Sequence, residues 1–396
     1  MALTQREREI VELLRAEPLL DAAGLAERVG STKAAVAVHL SNLTRKGVIV
    51  GRGYVLRPDE GAVVVVGGTN MDIKAQSRAA LALRTSNPGE TTSTPGGVGR
   101  NIAENLARLG SPTQLVSPVG RDAFGDQVLD ATRAAGVGLD HVIRGEEPTG
   151  TYLAVLDADG ELVVAVSTMG ATDGLTVDQL TGVRDLVANA DLLVVDGNIP
   201  AAPTTWLLDT AAAADVPVVI DPVSVAKARP LATILSPDRP VLALTPNLDE
   251  LAAIVGEDVP DTKAGIARAA ASLHGRGVAH VWVRRGARGS VLSSRAVAGA
   301  HTEAGSRPEV HLIPAPPTTL VDVTGAGDAM TAAFVHAHLR GDSALGAVRF
   351  GQTAAALTVA CPQTVRPDLT ARLVDAELRR TGVGRADASP TTRRSR

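Results

Sequence analysis

Disulfides, aromatic clusters and membrane spans are all scarce or missing in this sequence, and each absence excludes a class of protein. The 396 residues include one cysteine, Cys361, so no intramolecular disulfide can form and a reducing compartment is expected. Aromatic residues make up 2%, which argues against stacking platforms for single-stranded nucleic acid. No apolar run approaches the roughly 20 residues of a membrane span, and the first residues lack the apolar core of a secretory signal. We therefore expect a cytoplasmic protein with no membrane partner.

Common nucleotide and metal signatures are missing as well. The chain contains no G-x-x-x-x-G-K-[ST] sequence, which excludes a P-loop. Gly97-Val98-Gly99 begins like a dinucleotide fingerprint, but Ile102 stands where the third glycine belongs, and no apolar strand precedes it. The eight histidines form no H-x-x-x-H pair, which with a single cysteine argues against a structural zinc site.

Charge is divided unevenly along the chain. The formal net charge is −4, whereas residues 1–58 carry nine Lys or Arg against six Asp or Glu, a net of +3. The remainder is therefore −7. A domain boundary is predicted near Pro58-Asp59-Glu60-Gly61, where the apolar pattern also changes.

Residues 1–58 have the pattern of a small helical domain. Three helices are predicted, over 4–17, 21–29 and 31–46, followed by a hairpin over 48–56. This order resembles a winged helix-turn-helix that binds double-stranded DNA. The third helix would present Ser31, Thr32, Lys33 and His39 to a major groove, and Arg52 in the hairpin would reach phosphate. A docking or dimerisation module without DNA binding is the alternative, because +3 is a small charge for a DNA-binding surface.

From residue 62 onward, short apolar runs alternate with Ala-rich helical stretches. Buried parallel strands are predicted at 63–66, 192–195, 218–220, 241–244 and 280–283. The alternation predicts a mostly parallel sheet with helices on both faces. Residues 73–95 and 150–168 break the pattern, and they predict a small β-sheet lid over a site. The tail over 381–396 is expected to be disordered.

The strongest chemical signal is Asp322-Val-Thr-Gly-Ala-Gly-Asp328, directly before a predicted helix over 329–338. A glycine-rich turn at a helix N-terminus offers free N–H groups to an anion. Asp328 can accept a proton from an attacking hydroxyl while the amides of Gly325, Ala326 and Gly327 hold a transferring phosphoryl group. An isolated turn of this kind also fits a helix cap behind a loop. The further motifs decide between a catalytic and a structural role for Asp328.

Three further motifs occur in order: GGTNMD at 67–72, PGGVGRN at 95–101 and TPNLDE at 245–250. With the turn at 322–328, they resemble the ribokinase-like (phosphofructokinase B) family of sugar and nucleoside kinases over about 62–375. Finer matches at 86–89 and 221–224 resemble the pseudouridine kinase branch, some members of which carry an N-terminal winged helix. The resemblance implies a kinase domain over 62–380 with a three-layer α/β/α core and a small β-sheet lid.

The resemblance also implies a site for the phosphoryl acceptor. Asn70 and Asp72 would hold sugar hydroxyls, and Asn101 would add an amide. Gly96 and Gly97 would let the backbone approach the sugar. The base would be recognised by the lid and by Asn87, Asp196, Asn198 or Ser224.

For the second substrate, ATP, the resemblance implies a loop after a strand together with the glycine-rich turn. The nucleotide-binding residues would be Asn247, Arg284, Gly286, Gly289, Gln352, Gly325 and Gly327. Asn247 and Glu250 would hold Mg²⁺, partly through water, and Asp322 and Thr324 would lie beside K⁺ or a similar monovalent cation.

The predicted function is ATP-dependent phosphorylation of the 5′-hydroxyl of pseudouridine, with a DNA-binding regulatory role for the first domain. A kinase for another ribonucleoside or for a sugar would carry the same motifs. A ligand-sensing transcription regulator is a third interpretation. It is disfavoured because binding alone does not need Asp328 or Glu250. The resemblance implies a homodimer.

Overall fold

The computed structural model describes residues 3–17, 20–49, 61–295 and 307–382. The predicted hairpin from residue 50 onward, with Arg52, and the tail from residue 383 lie outside the described residues. The chain divides into two compact units, Met1–Gly61 and Ala62–Arg396.

The described part of the N-terminal unit has three helices, α1 (Gln5–Ala16), α2 (Ala22–Arg28) and α3 (Lys33–Arg45). Each begins at a side-chain cap, from Thr4, Asp21 and Thr32 respectively, which satisfies N–H groups that have no partner within the helix. The apolar faces of the helices share one core. It contains Ile10, Leu14, Leu25, Val36 and Leu43.

The second unit is built from short strands and Ala-rich helices. In chain order its strands are β1 (Val63–Val66), β2 (Asn70–Ser77), β3 (Gly89–Gly96), β4 (Thr113–Val116), β5 (Pro118–Gly120), β6 (Ile143–Gly145), β7 (Gly150–Leu156), β8 (Leu162–Thr168), β9 (Leu192–Asp196), β10 (Val218–Asp221), β11 (Val241–Leu244), β12 (Val278–Arg284), β13 (Ser290–Ser294) and β14 (Glu309–Ile313). Its helices are α4 (Val98–Leu109), α5 (Ala123–Ala134), α6 (Gly170–Asp173), α7 (Val177–Leu180), α8 (Arg184–Ala188), α9 (Ala201–Ala213), α10 (Val225–Ala228), α11 (Leu231–Ile234), α12 (Leu248–Val255), α13 (Lys263–Gly275), α14 (Ala326–Leu339), α15 (Ala344–Val359) and α16 (Ala371–Thr381).

The main sheet has the strand order β14-β13-β12-β11-β10-β9-β1-β4. It is parallel from β12 to β4, and β13 and β14 join antiparallel at one edge. Successive valines of β1 point to opposite faces, because side chains alternate along a strand. Val63 and Val65 pack in the same core as residues of α4 and α14 to α16, whereas Val64 and Val66 pack with residues of α9 to α13. The predicted three-layer α/β/α core is confirmed.

The predicted lid is a second sheet, with the order β3-β2-β7-β8. Strand β2 pairs antiparallel with β3, with Asn70 opposite Gly96, and parallel with β7, with Asp72 beside Tyr152. Because β2 follows β1 after three residues, the lid begins directly at the carboxyl end of the main sheet. That edge is where open α/β sheets bind ligands.

Candidate active site

A cleft of about 330 Å³ opens at this edge of the sheet. Its walls come from three parts of the kinase unit. They are the loops after β1, β9 and β10, the lid strands, and the first turns of α4 and α14. The lining residues are Gly68, Asn70, Asp72, Gly97, Val98, Asn101, Tyr152, Met169, Thr172, Asn198, Val223, Thr324, Gly325, Asp328 and Thr364. The cleft therefore brings together eight predicted site residues: Asn70, Asp72, Gly97, Asn101, Asn198, Thr324, Gly325 and Asp328.

Asp328 lies in the first turn of α14, which begins after Gly325 with a φ of 77°. A side chain at Gly325 would collide with the carbonyl of Thr364, so the tight turn needs glycine. The Asn101 amide Nδ2 donates a hydrogen bond of 2.8 Å to the Asp328 carboxylate. Burial, and then the neighbouring Asp221 carboxylate, raise the pKa of Asp328 to about 7. A carboxylate with this pKa can act as a general base near neutral pH.

Asn70 and Asp72 form a polar pair on the lid side of the cleft. The Asn70 amide donates to the Asp72 carboxylate at 2.6 Å. Gly96 lies so close to this carboxylate that any side chain there would displace it. Burial raises the pKa of Asp72, and the Asn70 hydrogen bond opposes the rise. The pair offers the alternation of acceptor and donor that adjacent sugar hydroxyls need.

Asp196, a predicted candidate for base recognition, has another role in the structure. Its Oδ2 accepts hydrogen bonds from the N–H groups of Gly68 at 2.8 Å and of Gly99 at 2.7 Å, and it is fully buried. Burial raises its pKa to about 6. Asp196 thus joins the loop after β1 to the start of α4. The Asn198 Nδ2 also donates to Oδ2, at 3.3 Å, which leaves the Asn198 Oδ1 as an acceptor on a residue that lines the cleft.

The structure leaves two other predicted base-binding residues outside the cleft lining. Asn87 folds onto its own turn, where its Nδ2 donates to the carbonyls of Ala82 and Thr85 at 2.9 and 3.2 Å. Ser224 caps α10. Tyr152, Met169 and Thr172 also line the cleft, although no motif indicates them. Only their position in the lid hairpin and the segment after it could have indicated them.

Arg284 lies behind the first turn of α14 and is paired with protein carboxylates. Its guanidinium donates to Asp221 at 3.0 and 3.3 Å and lies 3.5 Å from Glu250. Although burial opposes the charge, Asp221 and Glu250 hold the pKa of Arg284 above its usual value. A side chain at Gly327 would lie 2.6 Å from the guanidinium. Arg284 therefore places a guanidinium beneath the predicted phosphoryl-binding turn, with its charge compensated by Asp221 and Glu250.

The predicted magnesium residues form a capping box at the start of α12. The backbone N–H and side-chain amide of Asn247 donate to the two carboxylate oxygens of Glu250 at 2.9 and 2.8 Å. Burial raises the pKa of Glu250, and Arg284 opposes the rise. In the described part of the chain, no group of three or more His, Cys, Asp or Glu could hold a metal ion. This donor set fits an ion held through water and substrate phosphates, because Mg²⁺ keeps much of its hydration shell.

Asp322 and Thr324 form a tight turn, in which the Thr324 N–H and hydroxyl donate to one carboxylate oxygen at 2.8 and 2.7 Å. Although burial works in the opposite direction, these bonds keep the pKa of Asp322 below its usual value. The Lys74 ammonium of the lid lies 3.9 Å from the other oxygen. Asp322 is thus a charged carboxylate beside the glycine-rich turn.

Among the remaining predicted nucleotide residues, the glycines and the glutamine differ in surroundings. Gly286 and Gly289 bound a turn after β12, and Gly289 packs against the backbone of residues 313–315. Gln352 is buried on α15, and its Oε1 has no hydrogen-bond partner among the described residues. A buried acceptor without a partner loses the hydrogen bonds that it would make with water.

Comparison with protein-family models agrees with this fold and cleft. Residues 61–371 match the model of the pfkB family carbohydrate kinases, and residues 3–50 match the winged helix-turn-helix DNA-binding model. The chain belongs to the PfkB carbohydrate kinase family and carries an N-terminal winged helix-turn-helix domain, which confirms the resemblance predicted from the motifs.

Individual relatives refine the comparison. The chain is 34% identical to the uncharacterized sugar kinase YeiI of Escherichia coli over 93% of its own length and 97% of the relative. It is also 34% identical to the pseudouridine kinase of Escherichia coli, over 78% of its length and 93% of the relative. The solved structure of Arabidopsis thaliana ribokinase, complexed with ribose and ATP, aligns with a TM-score of 0.66 and 29% identity over 81% of this chain and 99% of that one. The protein is accordingly a sugar or nucleoside phosphotransferase with an alcohol acceptor. Among the described helices, none combines the length and the hydropathy that a membrane span requires.

Proposed function

We propose that the protein transfers the terminal phosphoryl group of ATP to the 5′-hydroxyl of pseudouridine. The observation that carries the proposal is the placement of Asp328, hydrogen-bonded to Asn101, in the same cleft as the Asn70–Asp72 pair. The similarity to a pseudouridine kinase supports the choice of nucleoside.

In this proposal Asp328 accepts the proton of the 5′-hydroxyl as the oxygen attacks the terminal phosphorus. The bond between the terminal phosphorus and the bridging oxygen breaks, and ADP leaves with its electron pair. The amides of Gly325, Ala326 and Gly327 hold the transferring group, and the positive end of α14 favours its charge. Phosphoryl transfer needs positioning and charge neutralisation more than covalent help. Gly96, Gly97 and Asn101 complete the sugar site.

The position of Asn198 supports pseudouridine, a C-glycoside, as the substrate over uridine, its N-linked isomer. Pseudouridine carries N–H donors at both ring nitrogens, whereas the N1 of uridine is bonded to ribose. The Asn198 Oδ1 would accept from the additional N–H, and a site built for such a bond rejects the analogue that lacks it. Tyr152 would stack on the base from the lid. The proposed role of Asn87 in binding the base remains a prediction.

The nucleotide would lie on the opposite side of the glycine-rich turn. Asn247 and Glu250 would hold Mg²⁺ through water, and the ion would neutralise phosphate charge. Gly286 and Gly289 would let the backbone approach the nucleotide, Arg284 would face its phosphates through the turn, and the Gln352 Oε1 would accept from the adenine amino group. A monovalent cation such as K⁺ would lie beside Asp322 and Thr324, and its effect would appear as K⁺-dependent turnover.

Two partners complete the proposal for a cytoplasmic enzyme. The lid exposes Leu153, Val164 and Val166 by 37%, 51% and 56%, an apolar strip that fits a homodimer interface.

Helix α3 would enter the major groove of DNA, where its exposed Val38 suits apolar contact with thymine methyl groups. Binding that weakens steeply with salt would support the DNA role.

The deciding experiment compares initial rates on pseudouridine, uridine, cytidine, adenosine, inosine and ribose with Mg-ATP and K⁺. We expect pseudouridine to be preferred. Asn198→Ala should lower kcat/KM for pseudouridine about 10-fold, the value of a hydrogen bond of ~1.4 kcal/mol, while leaving ribose unaffected. Asn189→Ala is the matched control, because the Asn189 amide donates only to the nearby Asp185 carbonyl. Preference for another acceptor would overturn the choice of pseudouridine, and no turnover by folded protein would favour a ligand sensor.

A further inference from the structure

Arg100 is a buried cation that lies beside the cleft and has no role in the proposed reaction. It is 5% exposed, although arginine is almost never buried unless it is paired. Its guanidinium reaches four acceptors on three different elements. A buried residue with so many fixed partners can hold those elements in one arrangement.

One of these bonds fixes the orientation of the Asn101 amide. The Arg100 Nη1 donates to the Asn101 Oδ1 at 3.0 Å, and the Asn101 Nδ2 donates to Asp328 at 2.8 Å. Arginine has only donors, so the amide oxygen must face Arg100. The amide NH₂ is thereby directed at the carboxylate of Asp328. If the amide rotated by half a turn, its oxygen would face that carboxylate and the hydrogen bond would be lost.

The same Nη1 also binds the lid. It donates to the carbonyl of Pro95 in β3 at 3.2 Å, directly before the Gly96 that packs against Asp72. The other side of the guanidinium is held by Thr132 of α5 at 3.1 Å and by Glu104 of α4. The Arg100 Nη1 therefore contacts both lid strand β3 and Asn101, the residue that hydrogen-bonds Asp328.

We infer that Arg100 is a positioning residue that acts through Asn101: it sets the amide orientation that hydrogen-bonds Asp328 and makes that orientation depend on the seating of lid strand β3. The inference rests on the proposed function of Asp328. Arg100 touches neither the reacting hydroxyl nor the phosphoryl group in this scheme. Its effect on turnover passes through one neighbouring side chain.

A double-mutant cycle tests this inference with full-length protein. Arg100→Lys keeps the charge but loses the planar fork, and we expect it to lower kcat about 10-fold with little change in the KM for ATP. Asn101→Ala should lower kcat by a similar factor. If Arg100 acts through Asn101, adding Arg100→Lys to Asn101→Ala should cost less than about 2-fold.

Arg108→Gln is the matched control, because Arg108 binds the same Glu104 at 2.6 Å from the other side and does not contact Asn101. It should leave kcat within about 2-fold. If Arg100→Lys fails to fold, Thr132→Val replaces it in the cycle, since it removes one anchor of the guanidinium and keeps the charge pair. Penalties that multiply in the double variant would overturn the inference and leave Arg100 a structural residue. Absence of turnover on every acceptor by the wild-type protein would instead overturn the proposed function.

Discussion

Glu7 in the N-terminal unit and Asp328 in the kinase unit are buried carboxylates with opposite electrostatics. Glu7 is 1% exposed and Asp328 is 9% exposed. Hydrogen bonds from Lys46 and from the Thr4 backbone lower the pKa of Glu7 to about 2. Burial and the Asp221 carboxylate raise the pKa of Asp328 to about 7. Burial sets the direction of the pKa shift at Asp328, whereas at Glu7 the hydrogen bonds from Lys46 and Thr4 outweigh it.

The difference separates a structural carboxylate from one suited to catalysis. Glu7 accepts from Lys46 at 2.7 Å and closes the capping box of α1. The ionised carboxylate of Glu7 therefore has hydrogen-bond donors and a cation as partners, and it stabilises the fold of the N-terminal unit. Burial and the nearby Asp221 carboxylate disfavour the ionised form of Asp328, and the Asn101 hydrogen bond and the Arg284 charge only partly offset them. This is the behaviour expected of a general base.

The largest expected effect is on turnover. Asp328→Asn removes the proton acceptor and should lower kcat by at least ~10², the contribution of a general base. Glu7→Gln should leave kcat within 2-fold, because Glu7 belongs to the other unit. Both are measured as initial rates with saturating Mg-ATP and nucleoside. Turnover that survives in Asp328→Asn would remove the assigned role.

The same two variants should change stability in opposite directions. The raised pKa of Asp328 means that its contribution to stability is present below about pH 4 and lost as the pH rises through 7. At pH 8, Asp328→Asn should therefore stabilise the kinase unit by on the order of 2 kcal/mol. Glu7→Gln should destabilise the N-terminal unit by about 1–3 kcal/mol.

Calorimetry gives the sign of each change, and hydrogen exchange assigns it to α14 or α1. If both variants destabilise, the environment of Asp328 does not favour its neutral form, and the comparison fails.

The pH dependence of kcat/KM should report the pKa of Asp328 directly. The base must be deprotonated, so activity should rise as the pH passes about 7. Asp221→Asn removes a negative charge near Asp328 and should move this rise to lower pH. Thr331→Val is the control, since it removes a 2.8 Å hydrogen bond to Asp221 without removing the charge. A rise at the same pH in wild type and Asp221→Asn would contradict this account.

The smallest effect concerns Lys46, whose hydrogen bond is the largest cause of the low pKa of Glu7. The stabilisation from Glu7 is present above about pH 4.5 and is lost as the pH falls toward 2. Lys46→Met should raise the pKa of Glu7, so the α1 amides should lose protection from hydrogen exchange at a higher pH. Loss of protection at the wild-type pH would show that Lys46 does not hold this charge state.

Much of the core could be predicted because buried parallel strands are local apolar runs. The strands predicted near 63–66, 192–195, 218–220 and 241–244 agree with β1, β9, β10 and β11 within one residue. Strand β4 was missed, since Thr113 and Gln114 interrupt its apolar pattern at the sheet edge. Strands β13 and β14 form the antiparallel edge, for which the alternation with helices gives no signal.

Elements whose hydrogen bonds close within a few residues are encoded in the local sequence. The Asn247–Glu250 capping box and the Asp322–Thr324 turn are encoded in this way. The glycine-rich turn before Asp328 also follows from local sequence, because a positive φ at Gly325 requires glycine.

The surroundings of each polar side chain depend on how distant segments pack together. Asn101 and Asp328 are 227 positions apart in the sequence and 2.8 Å apart in space. Asp196 is taken up by the Gly68 and Gly99 amides, and Arg284 by carboxylates of other elements. The pKa of a buried group depends on the summed charge and polarity around it, and those surroundings come from distant segments that meet only when the chain folds.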